Sequence, residues 1–141
     1  MDFLKSLDTS ASGLFAQRKR MDIIASNLAN IETTRTEKGG PYRRKMVVMK
    51  TKEMEQDFAE VFNSSVKGVQ IEDIVEDQAP FKKVYNPSHP DADSNGYLYK
   101  PNVDLIVETT NMLMARRAFE ANIAAIKATR QMIIKALEIG R

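Results

Sequence analysis

The sequence predicts an α+β fold, mainly α, in which long N- and C-terminal helices pair as an antiparallel coiled coil beside a small middle segment containing a β-hairpin. A heptad-spaced ladder at each end of the chain predicts the pairing, and short alternating runs broken by turn signals predict the strands. A surplus of apolar residues on the second helix adds a third expectation, self-association.

Residues 1–31 form the first expected element. Leu4, Leu7, Ala11, Leu14, Arg18, Met21, Ala25 and Leu28 keep a strict three-four spacing, a coiled-coil seam with one charged interruption. An ordinary amphipathic surface helix is the plainer alternative, but about 45 Å of helix favours the seam. Asn30 is placed to end it, because Asn tolerates the left-handed conformation common just past a helix.

Residues 32–101 form the middle segment. "PYRRKMVVMK" and "GVQIEDIVE" read as strands, with Tyr42, Met46 and Val48 on one face of the first. Met54, Phe58, Val61 and Phe62 have helical spacing and suggest a short helix within residues 53–62. "FKKVYN" and "GYLYK" flank "PSHPDADSN", a hairpin with a long connection marked by Pro87, Pro90 and the Asn95-Gly96 pair.

Residues 102–141 repeat the ladder with Leu105, Thr109, Met112, Arg116, Phe119, Ile123, Ile126, Arg130, Ile133 and Leu137. Asn102 is the expected N-cap, Asp104 and Glu108 sit in the early turns, and Gly140 stops the helix. Met114, Ala118, Ala121, Ala124, Ala125, Met132, Ile134 and Ala136 lie outside the ladder, more apolar surface than one partner helix covers. An antiparallel register that maximises apolar pairing sets Leu7, Leu14, Met21 and Leu28 against Ile133, Ile126, Phe119 and Met112.

Composition bounds the chemistry. The 141 residues carry a net charge of only +2, which argues against a dedicated nucleic-acid binder. There is no cysteine, so thiolate catalysis and cysteine-based zinc sites are excluded, and His89 is the one histidine. No apolar run reaches the ~20 residues of a membrane span, and the N-terminus does not read as a cleaved secretory signal. Composition alone therefore predicts a cytoplasmic protein.

Asp91, Asp93, Asn95 and Gly96 match the opening of a calcium-binding loop, but Asn102 stands where the bidentate Glu is needed. A polar turn is the better account. Ser88, His89 and Asp91 are crowded in sequence, which does not make a triad in space. The basic run Arg35, Lys38, Arg43, Arg44, Lys45, Lys50 and Lys52 is balanced by "EDIVED" and lacks interleaved aromatics, so it reads as a solvated face. No catalytic, cofactor-binding or metal residues are expected.

"SGLFAQRKRMDIIASNLANIETT" (residues 12–34) resembles the N-terminal signature of bacterial flagellar rod and hook proteins, with Asn27, Leu28, Ala29 and Asn30 as the helix-end motif. "MLMARRAFEANIAAIKATRQMIIKALEIGR" resembles their C-terminal end, and "NPSHPDADSNGYLYKPNVD" is similar to the hairpin of the short, proximal-rod members. Ser26 and Glu32 depart from the usual pattern. The resemblance implies a structural subunit of the proximal rod, packed helically with other rod subunits and itself across the periplasm. It also implies export by the flagellar type III apparatus without a cleaved signal, in place of the cytoplasmic location that composition suggests. A cytoplasmic coiled-coil adaptor is the competing class, with a calcium-binding module as a more distant one.

Overall fold

The computed structural model describes residues 3–52 and 67–140; the short helix expected around Met54 to Phe62 lies outside them. A proline-free run forms helix α1, Phe3–Ala29. Strands β1, Lys45–Lys52, and β2, Gly68–Glu76, pair antiparallel, as do β3, Lys82–Tyr85, and β4, Tyr97–Lys100. Helix α2, Leu105–Ile139, closes the chain. The architecture is thus mainly α, with two long helices and two small hairpins. At 1.5 Å per residue the helices are about 40 and 52 Å long.

The helix ends are built from side chains. Asn30 does not turn left-handed, for no described residue other than glycine has positive φ. Instead its Nδ2 donates to the Ser26 carbonyl at 2.9 Å, and its Oδ1 accepts from the Thr33 hydroxyl at 3.1 Å. Asp104, not Asn102, caps α2: its carboxylate accepts from the N–H groups of Ile106 at 2.9 Å and Val107 at 3.2 Å. Those two bonds hold the Asp104 carboxyl below its ordinary pKa. Gly140 ends α2 at φ −81°, with its N–H on the Ala136 carbonyl.

The helices run antiparallel in a register set at two points. Asn27 hydrogen-bonds Glu108, and Gly13 lies so close to Asn122 that a Cβ there would stand 2.9 Å from the Asn122 amide. Gly13 and Asn27 are fourteen residues apart, as are Glu108 and Asn122, so these contacts describe one alignment. It places Leu14 level with Ala121, five residues or about 7.5 Å from the expected Ile126. It also places Ala16 level with Phe119 and Ala115 level with Arg20, small residues facing large ones. Past the level of Phe3, α2 continues from about Ile133 to Ile139.

The ladder is rotated relative to the sequence expectation. Leu4, Ala11, Arg18 and Ala25 are exposed, as are Leu105, Thr109, Arg116, Arg130 and Leu137. Ala16, Ile24 and Asn27 of α1 and Glu108, Ala115 and Thr129 of α2 are buried instead. Leu7, Leu14, Met21, Leu28, Met112, Phe119, Ile126 and Ile133 are each half-buried. The physical reason is close approach: small residues let the helix axes draw together, which leaves long side chains to the flanks.

The β1–β2 hairpin lies along α1. The Lys45 N–H is bonded to Asn27 and the Val69 N–H to the Ser12 hydroxyl, so the hairpin spans fifteen helical residues, about 22 Å. Eight residues of strand cover about 26 Å, which matches. The register shifts between Val48 and Met49, a bulge that opposes two residues to one. Tyr42 lies ahead of β1 and is buried while Val48 is exposed, so the common face expected for Tyr42, Met46 and Val48 is not formed. The second hairpin anchors through Leu98, followed by Pro101 and Val103, all buried.

The register yields a direct test. A chain carrying Gly13→Cys with Asn122→Cys should oxidise readily to an intramolecular disulfide, whereas Leu14→Cys with Ile126→Cys should not, since disulfides tolerate Cα separations of only ~4.4–6.8 Å. Mass spectrometry of the oxidised chains reads the result; the opposite preference would move the register by more than a turn.

Candidate functional site

The end of α1, the start of β1 and the start of α2 meet at a buried polar centre. Asn27 is 1% exposed and Glu108 is fully buried. Asn27 fills every hydrogen-bonding slot that its amide has. Its Nδ2 donates to the Lys45 carbonyl and to Glu108 Oε2, both at 2.9 Å. Its Oδ1 accepts from the Tyr42 hydroxyl at 3.0 Å and from the Lys45 N–H at 2.9 Å. One side chain therefore pins β1 and α2 to the last turn of α1.

Glu108 spends its other oxygen on Arg44, whose Nε donates to Oε1 at 2.8 Å while a terminal nitrogen stands 2.8 Å from the same oxygen. A charge-assisted contact of this kind is stronger than a bond between neutral groups. Burial works against the Arg44 charge, but hydrogen bonds and attraction from Glu108 and Asp77 outweigh it and hold its pKa above the ordinary value.

An outer ring holds Arg44 in place. Its other terminal nitrogen is 3.3 Å from Asp77 Oδ2, and its backbone N–H donates to Asn102 Oδ1 at 2.8 Å. Asn102 returns two bonds from Nδ2, to the carbonyls of Asp77 at 3.0 Å and Ala79 at 3.1 Å. The Arg43 guanidinium lies 4.3 Å from the centre of the Phe81 ring, a cation–π contact on the same strap. The Ala79 N–H, then Arg44 and Arg43, hold the Asp77 carboxyl below its ordinary pKa of 3.8.

This arrangement contains no reactive group in waiting. Every polar atom of Asn27 is committed and both Glu108 oxygens are paired. What it does is mechanical: it fixes the register of the two helices and the departure of the chain between them. Of the helix-end motif, Asn27 is at the centre, Asn30 caps α1 alongside it, Leu28 is half-buried and Ala29 is exposed. The eight apolar residues of the expected seam are half-buried, and none takes part in the hydrogen bonds of the polar centre.

In sequence Glu108 is marked only as an early-turn acid and Arg44 only as part of a basic run, so neither stands out as a site residue. The signal lay in a different heptad line. Gly13, Arg20 and Asn27 step by seven, as do Glu108, Ala115, Asn122 and Thr129, and both lines mix small with polar residues. The calcium-like loop folds as a turn: Asp93 Oδ1 accepts from the N–H groups of Asn95 and Tyr97, and Asp91 accepts from the Thr34 hydroxyl. Among the described residues no group of three or more His, Asp or Glu is arranged to hold a metal.

Both ends of the chain match known families. Residues 7–35 match the model described as flagella basal body rod protein, and residues 94–139 match that of the flagellar basal body rod FlgEFG protein C-terminal region. Asn27 falls in the first and Glu108 in the second. The chain belongs to the flagellar basal-body rod protein family. Its full-length relatives include proteins named flagellar basal-body rod protein FlgC. That of Bacillus subtilis (strain 168) is 43% identical over the whole of both chains. That of Salmonella typhimurium is 39% identical over the whole of both. That of Borreliella burgdorferi is 37% identical over 99% of this chain and 98% of its own.

Two outcomes follow from the polar centre. Asn27→Leu leaves Glu108 Oε2 and the Lys45 N–H without their Asn27 partner and the Tyr42 hydroxyl with only Ser26 Oγ at 3.5 Å, and should cost about 3–5 kcal/mol in urea unfolding; Asn30→Leu, which loses a helix-end bond, should cost about 1 kcal/mol. Asp77 has a depressed folded pKa, so its contribution is present above pH 3.8 and is lost as pH falls through the depressed value. Asp77→Asn should therefore be less stable than wild type at neutral pH, with the difference closing below that window; a gap that stays constant to pH 2 would exclude the linkage.

Proposed function

We propose that this chain is a structural subunit of the proximal part of the flagellar basal-body rod, which packs helically with other rod subunits and with copies of itself into the shaft that carries motor torque. The observation that carries the reading is full-length similarity to rod proteins in a chain whose helix hairpin keeps bare apolar faces. Leu4 and Phe15 of α1 are 72% and 67% exposed, and Leu137 and Ile139 of α2 are 70% and 86% exposed. Leu4 and Phe15 lie eleven residues apart, three turns of one helix, and so share an exposed apolar face that suits assembly.

The polar centre suits the task. Torque loads the subunit along and across its helices, and two apolar surfaces alone slide past one another in heptad steps at modest cost. A buried amide–carboxylate–guanidinium lock makes each step leave a charge unpaired. The role is mechanical, without catalysis or cofactor. The reading includes passage through the flagellar type III export apparatus, without a cleaved signal, to a periplasmic place in the basal body. No described helix is long and apolar enough to cross a membrane.

Detergent-resistant basal bodies from a strain producing this chain should contain it. A strain lacking it should regain motility with the wild-type chain and not with Asn27→Leu. Recovery of the wild-type chain only among soluble cytoplasmic proteins would overturn the reading in favour of an adaptor.

A further inference from the structure

The β3–β4 hairpin presents a face that neither helix covers. Lys83 pairs across the sheet with Tyr99, and Tyr85 with Tyr97, so these four side chains share one side. Tyr85 is 66% exposed and Tyr99 is 42% exposed. The face is preformed. Tyr85 and Tyr97 meet edge to face with centroids 5.3 Å apart. Gly96, at φ +78°, has no Cβ to collide with the Tyr85 ring, which a Cβ would approach to 3.0 Å. The Lys83 ammonium stands 3.9 Å from the Tyr97 ring centre and 5.8 Å from that of Tyr99. Among the described residues it has ring partners and no ion pair.

The other hairpin carries the complement. At its bulge, Glu72 and Asp73 are exposed, and Asp73 pairs across the sheet with Val48, which is half bare. Asp73 has no cation beside it among the described residues, while Glu72 is shared with Lys50 at 2.9 Å. An acidic knuckle with an apolar neighbour thus stands on one hairpin and a cationic aromatic face on the other.

We infer that the Lys83–Tyr85–Tyr97–Tyr99 face receives the Asp73–Val48 bulge of a second copy of this chain, as the lateral contact between neighbouring subunits; this rests on the assembly role proposed above. Charge complementarity selects the partner: a lysine held over ring faces is met by a carboxylate, and the tyrosine edges are met by the valine. A glycan fits less well, because a sugar stacks on an uncovered ring face and Lys83 already occupies that of Tyr97. The two surfaces differ, so the contact is heterologous and passes from copy to copy instead of closing in a pair.

Charge exchange and cross-linking test this in basal bodies. Lys83→Glu should lower incorporation about tenfold, Asp73→Lys should do the same, and the two together in one chain should restore it. Because the chain has no cysteine, Lys83→Cys with Asp73→Cys should give a ladder of disulfide-linked copies on oxidation, while each single cysteine gives none. Wild-type incorporation of Lys83→Glu, or an incorporated double-cysteine chain without a ladder, would overturn the contact. So would binding of purified wild-type chain to peptidoglycan sacculi that Lys83→Glu abolishes, with no ladder formed, which would assign the face to glycan. Absence of the wild-type chain from basal bodies would instead sink the assembly role, a different result. If Lys83→Glu proves unfolded by circular dichroism, the ladder decides alone.

Discussion

A carboxylate with no access to water must be matched inside the protein, and Glu108 is that carboxylate. Its oxygens are answered by Asn27 from α1 and Arg44 from the start of β1, and each answer fixes an element. Asn27 then reaches the backbone of Lys45 and the hydroxyl of Tyr42, which decides where the chain leaves the helix pair. Arg44 reaches Asp77 and Asn102, which closes the strap leading to the second hairpin. Such a centre need not add net stability, because removing two charges from water costs about as much as pairing them returns. Its effect is on specificity: any arrangement that separates the three groups is penalised by several kcal/mol.

That penalty explains the register. Sliding the helices toward the apolar optimum of Leu14 against Ile126 would gain on the order of 1.5–3 kcal/mol for one better-buried side chain. The same slide would part Asn27 from Glu108 and leave a buried acceptor unmet, at a cost of about 3–5 kcal/mol. The polar term wins. With the register set, Gly13 falls beside Asn122, whose amide a Cβ at position 13 would approach to 2.9 Å. Among the described residues the buried apolar side chains are few: Ala16, Ile24, Tyr42, Leu98, Pro101, Val103 and Ala115. A core this slender leaves position to be defined by directional bonds.

The same balance explains what could be read from the sequence. Helix extents, the four strand runs and the antiparallel pairing of the helices follow from periodicity and turn residues, which act locally. The buried face does not follow, because a three-four ladder of large apolar residues ordinarily marks the contact line. In this hairpin those residues flank the contact, and the line itself runs through Gly13, Ala16 and Asn27. Hydrophobicity is blind to a line of small and polar residues. Arg44 was beyond reach for another reason: its partner lies sixty-four positions away, and nothing local distinguishes it from Arg43. The Asn102 cap failed by two residues because Asn102 is used by the strap, leaving Asp104 to the helix.

A subunit for a rotating shaft faces two opposed demands, and the fold separates them. Outer surfaces must accept several neighbours, which favours apolar and adaptable faces such as those around Leu4, Phe15, Leu137 and Ile139. The interior must not yield when those neighbours pull, which favours bonds with direction and fixed partners. An all-apolar helix pair would meet the first demand and fail the second, since one heptad slip restores nearly every contact. Placing the unique polar lock at the end where α1, β1 and α2 join puts the stiffest point at the root of the middle segment. At the other end α2 extends past the level of Phe3, where Leu137 and Ile139 are exposed. The asymmetry along the helix pair is therefore a division of labour: one end fixes the arrangement of the subunit, and the other presents apolar surface.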